Sequence, residues 1–241
     1  MPLISFEYNT RYQFDSCVFT GISGYYSCTA FAFTNCDFHV NVQGSSPFKF
    51  AFVNCRFNVT FSLSYNGREM KFTNCDFLQG VQIPEDRDDW VFVGCNIRVV
   101  GTPLTINLNS TNARIVFSGC KIHGNIATGL IHQISGRVVF DNCDIRNNST
   151  TVNSNPLRVT SNNNNSLNMT NCKVVSGAVT IRCIETVNPS ISILTTVVLL
   201  GNEFSSTNIQ LAQTVVDNSS VGMVSNTHYV PQFANRFGRA G

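Results

Sequence analysis

The chain has 241 residues, enough for one large domain with a substantial core; 12% are charged and 43% hydrophobic, which excludes a disordered polyelectrolyte. A formal net charge of +2 supplies no concentrated field for nucleic acid, so no such partner is expected. The longest apolar stretch, around Ile193 to Leu200, is broken by Thr195 and Thr196 and falls far short of the roughly 18 residues of a membrane helix, which excludes membrane insertion of that kind.

In chain order, residues 1–11 lack the basic start and apolar block of a secretory signal and are read as an N-terminal edge or cap segment. A repeat then runs over residues 12–230, marked by variants of F-T-N-C-D-F. Its corner positions are Cys17, Cys36, Cys55, Cys75, Cys95, Cys120, Cys143 and Cys172, followed by Asn202 and Asn226. The spacings are 19, 19, 20 and 20 residues, then 25, 23, 29, 30 and 24, so the early units are minimal and the later ones carry insertions. A period in the twenties is the signature of a solenoid. Segments near 101–113, 124–136, 147–166 and 176–195, rich in Asn, Ser, Thr and Gly, are expected to be loops. Residues 231–241 form a C-terminal tail.

Within each unit the residues five and three before the corner are apolar throughout, from Tyr12 and Phe14 to Val221 and Met223. Two residues after the corner stand Phe19, Phe38, Phe57, Phe77, Ile97, Ile122, Ile145, Val174 and Phe204, then His228. That is a period of two with one extra step, which predicts two short strands joined by a bend. Asn or Gly immediately precedes most corners, with Ser16 and Ser225 at the ends, and these residues accept the positive φ of a left-handed corner. The exposed residues just after the corner read Val18, Asp37, Arg56, Asp76, Asn96, Lys121, Asp144, Lys173, Glu203 and Thr227. Their signs mostly alternate, as an in-register parallel stack with a spacing of about 4.8 Å requires.

Strand, left-handed corner and strand, with one stacked interior side chain per turn, resemble the right-handed parallel β-helix of the pectate-lyase-like superfamily, and most of all viral and phage spike or fibre β-helices. The chain departs from that pattern by placing Cys at most corners. The fold class expected is all-β, a single-stranded right-handed parallel β-helix of about ten coils, giving a rod of roughly 48 Å.

One thiol per coil, all pointing the same way, suits an interior ladder better than a tetrahedral metal site or disulfides, and no metal or cofactor is expected. Free thiols fit a reducing compartment. Cys28 and Cys183 lie outside the ladder and their state is left open. Were the chain an enzyme, its candidate catalytic carboxylates would be Asp141 and Asp144, flanking one corner, and Asp86 and Asp88, in the acidic loop before Trp90. Asp144 is instead assigned to the alternating ladder with Lys121 and Lys173. His39 and His123 share an exposed column in distant coils, and His132 is placed in a loop, so no catalytic His arrangement is argued.

The expected function is a non-enzymatic structural or adhesion protein of a virion, such as a tail spike, fibre or capsid-surface protein, assembled in the host cytoplasm. Solenoid ends and edges need covers, so other virion proteins or further copies of the chain are expected partners. The resemblance to viral spikes implies a homotrimer, with a host surface glycan as a further partner. Two alternatives stand beside this reading: a polysaccharide lyase or hydrolase with its groove on the β-helix, and a carbohydrate-binding module without turnover.

Overall fold

The computed structural model describes residues 11–21, 30–41, 49–62, 69–83, 89–108, 113–151, 154–160, 166–177, 184–187, 196–205, 220–224 and 227–229. The chain winds into a parallel β-solenoid, all-β among the described residues. Sheet 1 stacks ten parallel strands, from Arg11–Asp15 and Ala30–Thr34 up to Thr196–Leu200 and Ser220–Val224. Sheet 2 also has ten, from Val18–Phe19 to Thr227–Tyr229.

The bend between the two sheets is a left-handed residue in every described case, with φ near +55° at Ser16, Asn35, Asn54, Asn74, Asn142 and Asn171 and near +64° at Gly94, Gly119 and Gly201. Hydrogen bonding continues on both sides of the corner Cys. The Asn35 N–H donates to the Val53 carbonyl at 2.9 Å, and the Asp37 N–H donates to the Cys17 carbonyl at 2.9 Å; equivalent pairs recur up the stack. The amides on either side of the corner Cys are therefore paired, as buried backbone groups require.

Sheet 3 is the part of the fold that departs from expectation. Its strands Leu104–Asn107, Ile131–Ser135, Leu157–Thr160 and Ile184–Val187 occupy the segments expected to be loops. Below them the short strands Phe61–Ser62 and Val81–Gln82 pair with each other, and the Ile83 to Ile106 bridge joins this pair to sheet 3. The physical reason is local alternation: Leu104, Ile106, Leu108, Ile131 and Leu157 turn inward and are buried. Complete turns with all three sides described run from Phe61–Ser62 to Ile184–Val187 and number about five, against the ten expected.

The core is a set of ladders. Phe14, Phe33, Phe52, Phe72, Phe92, Phe117 and Phe140 form one continuous stack, with ring centroids 4.8–5.1 Å apart and interplanar angles of 11° or less. Phe19, Phe38, Phe57 and Phe77 form a second, at 4.7–4.9 Å, whose rings meet the first edge-on, as Phe33 meets Phe38 at 77°. The strand repeat of about 4.8 Å sets the ring spacing. Each buried Phe contributes about 1.5–3 kcal/mol, so these columns supply most of the stability of the lower coils.

The charge column after the corner is in register along its length, for example Asp37 opposite Arg56, Arg56 opposite Asp76 and Lys121 opposite Asp144. Lys173 pairs with Glu203 at 2.9 Å across coils. Asp144 does otherwise. Its carboxylate accepts two bonds of 2.7 Å from the Arg146 guanidinium, two residues along its own strand, rather than pairing with Lys121 or Lys173. A planar fork facing a carboxylate forms the stronger charge-assisted pair.

Candidate functional site

The corner ladder carries the only nucleophilic side chains that the fold brings into a regular array among the described residues. Cys36, Cys55, Cys75, Cys95, Cys120, Cys143 and Cys172 are buried free thiols, and Cys17 is half-buried. Their hydrogen bonds explain the residue type. Cys143 Sγ donates to the Phe117 carbonyl one coil below at 3.3 Å, and Cys55, Cys75 and Cys120 do the same toward Phe33, Phe52 and Phe92 at 3.4–3.5 Å. Higher in the stack, the Cys143 N–H donates to Cys172 Sγ at 3.4 Å.

Asn202 makes the same two connections with an amide. Its Oδ1 accepts from the Cys172 N–H at 2.8 Å and its Nδ2 donates to the Met169 carbonyl at 3.0 Å. The thiols thus share the two connections of the amide between them: Cys55, Cys75, Cys120 and Cys143 reach a carbonyl of the coil below, and Cys172 accepts a corner N–H. Burial raises Cys36 above the ordinary thiol range. Cys75 is pushed up to about 12, first by its hydrogen bond to Cys55 and then by burial against the opposing effect of Cys95. Cys95 and Cys143 are raised, first by their contact with Cys120, and the same contacts draw Cys120 the other way. Cys120 is 1% exposed, so a lowered value there does not make it reactive toward a solvent-borne electrophile. Asn226, the last rung expected, lies outside the described residues, as do Cys28 and Cys183.

Of the candidate carboxylates, the structure describes Asp141 and Asp144. Asp141 ends the sheet 1 strand Arg137–Asp141, where it accepts from the Ser118 hydroxyl at 3.4 Å. Asp144 opens the sheet 2 strand beyond the corner and is held by Arg146. Asp86 and Asp88 lie outside the described residues. His132, expected in a loop, lies on the sheet 3 strand Ile131–Ser135. No three His, Cys, Asp or Glu side chains converge among the described residues.

A groove does form on the flank of sheet 2. Arg98, Val99, Val100, Gly101, His123, Gly124, Asn125 and Asn148 line a volume of about 450 Å³. Strand register sets Arg98 opposite His123 along it, with Arg146 next in the same column but outside the lining. Burial, and then the Arg98 guanidinium, hold His123 below the ordinary imidazole range, with Asp144 opposing. Comparison with family models, curated proteins and solved structures finds no match.

Sequence reasoning missed the groove. Its signal was present in the column three residues beyond the corner, where Arg98, His123 and Arg146 follow one another. The floor needed the fold to be seen. Gly124 fits there because a Cβ would lie 2.6 Å from the Val99 carbonyl oxygen and 2.7 Å from Leu130 Cδ1. Beside it, Asn147 is fully buried and fully bonded. It accepts from the Ile126 and Ser149 N–H groups at 3.0 and 3.3 Å and donates to the Ile126 and Ser154 carbonyls at 2.9 and 3.1 Å. These four bonds tie two lengthened coils together and hold the Asn148 end of the groove in place.

Proposed function

We propose that the chain is a non-enzymatic structural or adhesion rod that works in an assembly of its own copies, as a virion component of the tail-spike, fibre or capsid-surface kind. The observation that carries this reading is the outward face of sheet 1. Its central column is mostly small or apolar, with Ala32, Ala51, Val91, Val116, Val139 and Val198 interrupted by Lys71 and Asn168, and Val93 and Leu200 stand exposed beside it. Ten strands at about 4.8 Å and five residues at about 3.3 Å give a face of about 800 Å² per copy. A standard protein interface buries about that much on each side.

Charge placement favours copies standing side by side at equal height. A symmetry axis parallel to the coil axis sets the first residue of each sheet 1 strand against the last residue of the same strand in the next copy. The strands Arg11–Asp15 and Arg137–Asp141 carry Arg at one end and Asp at the other, so Arg would meet Asp at both levels. The resemblance to viral β-helical spikes implies three copies. It also implies the superfamily and the virion setting, which rest on the sequence pattern alone.

Light scattering behind size exclusion tests the assembly, and an assay for reducing ends and unsaturated products over a panel of bacterial capsule and pectin-like polymers tests the absence of turnover. Self-association that Val116→Arg abolishes, with no product formed, supports the reading. A clean monomer at tens of micromolar, or polymer cleavage, overturns it.

A further inference from the structure

The corner thiols are all held in one orientation. Cys17 Sγ donates to the Asp15 carbonyl at 3.3 Å and Cys36 Sγ to the Thr34 carbonyl at 3.1 Å, each two residues back on its own strand. Cys55, Cys75, Cys95, Cys120, Cys143 and Cys172 repeat that bond at 3.3–3.5 Å. Side chains so aligned on in-register parallel strands stand one strand spacing apart, so successive sulfurs repeat at about 4.8 Å. That alignment is wrong for a tetrahedral cation, and among the described residues no three ligating side chains converge. It suits a cation held by two donors in a straight line. Monovalent d10 cations such as Cu(I) and Ag(I) favour soft thiolates in that geometry, and two metal–sulfur bonds of about 2.3 Å end to end span about 4.6 Å.

We propose that Cys17 and Cys36, the two lowest rungs of the ladder, bind one soft monovalent cation of the Cu(I) class between their sulfurs. Access selects this rung, because Cys17 is half-buried whereas every thiol above it is buried. Cys36 is also the thiol least committed to the coil below. Its sulfur lies 3.7 Å from the Phe14 carbonyl, against 3.3–3.5 Å for the equivalent bonds of Cys55, Cys75, Cys120 and Cys143. Turning that sulfur toward a cation therefore gives up little. Cys36 is raised first by burial and, to a lesser degree, by the exposed Asp15 carboxylate, whose field equally favours a cation at this corner.

Uptake balances without a redox step. The Cys17 S–H bond breaks, its proton passes to water, and the electron pair left on sulfur forms one metal–sulfur bond. Cys36 coordinates through a lone pair and keeps its proton on the Thr34 carbonyl, so the site gains no net charge. Because a proton leaves, affinity rises with pH. Zinc, which asks for four ligands, is left unsatisfied by two. The site needs neither self-association nor a virion setting, and so stands apart from the assembly reading above.

Anaerobic titration of the folded protein with Cu(I), in competition with a chromogenic Cu(I) chelator, tests this. One Cu(I) per chain is expected, with a thiolate-to-metal charge-transfer band, one proton released and two sulfur neighbours by X-ray absorption. Cys17→Ser is expected to weaken binding roughly a hundredfold, and Cys36→Ser as much, while Cys95→Ser leaves it unchanged. Cys17 is half-buried, so Cys17→Ser is expected to keep the parent melting curve and carries the test free of a folding defect. Equimolar Zn(II) is expected to displace none of the Cu(I). Unaltered binding in Cys17→Ser, loss of binding in Cys95→Ser, oxygen or nitrogen neighbours at the metal, displacement by Zn(II), or no uptake by folded protein overturns the proposal.

Discussion

Replacing Cys172 separates a polar ladder from mere filling of space. Its sulfur accepts the Cys143 N–H at 3.4 Å, and Asn202 above performs the same task at 2.8 Å. Cys172→Ala removes one buried heavy atom, about 0.8 kcal/mol, and leaves a buried N–H without its acceptor, about 1–2 kcal/mol. The sum, about 2–3 kcal/mol, lowers Tm by about 4–12 °C in a chain of this size. Cys172→Val restores the volume yet still strands the N–H, so its loss is about 1–2 kcal/mol. Cys172→Asn extends the Asn202 pattern, its Oδ1 to the Cys143 N–H and its Nδ2 to the Phe140 carbonyl, and stays within about 1 kcal/mol of the parent. Denaturant unfolding followed by circular dichroism gives the order. A Val variant as stable as the parent, or an Asn variant less stable than Ala, would refute the reasoning.

The fold makes further commitments. Gly124→Ala drives a Cβ to 2.6 Å from the Val99 carbonyl oxygen, which cannot step aside, and is expected to cost about 1–3 kcal/mol in denaturant unfolding. Gly101→Ala meets open space and strains only the backbone at φ +76°, with an expected loss of about 1–2 kcal/mol. Toward a thiol-specific disulfide reagent, Cys17 reacts in the native protein, whereas Cys36, Cys55, Cys75, Cys95, Cys120, Cys143 and Cys172 react only on unfolding. Cys75 titrates near 12 folded against 9.0 unfolded, so its stabilising contribution is complete below pH 9 and is lost as pH rises toward 12. A flat alkaline stability profile would count against the Cys55 contact and the burial that raise it. His123 is expected to titrate below 6.5 by NMR and to move upward in Arg98→Ala. Because the folded state resists this proton, stability is full above pH 6.5 and declines as pH falls toward the folded value, a slope that His123→Gln should flatten.

The strand register, the inward columns and the left-handed corner were legible because a repeat writes each requirement many times. Asn35, Asn54, Asn74 and Gly94 mark one backbone position, and their φ values agree with that reading. Sheet 3 was hidden because its alternation occurs in segments of unequal length, where Ser, Thr and Asn obscure Leu104, Ile131 and Leu157. The partner of Asp144 was missed for a related reason. Column arithmetic sees neighbours one coil away, whereas Arg146 sits on the same strand two residues on. The groove joins residues of three coils across a floor left open by Gly124, and no single window of sequence contains it.

The amide-and-thiol ladder also bears on how such a chain changes length. Cys55, Cys75, Cys120 and Cys143 each meet the carbonyl three residues before the rung beneath, so windings in this part of the stack present like sockets to one another. A duplicated or deleted winding of 19 or 20 residues would find matching surfaces wherever the break fell in the lower stack, while a change of a few residues would misalign every ring above it. The molecule can therefore grow or shrink in quanta, and the reach of the rod is a number its gene can count.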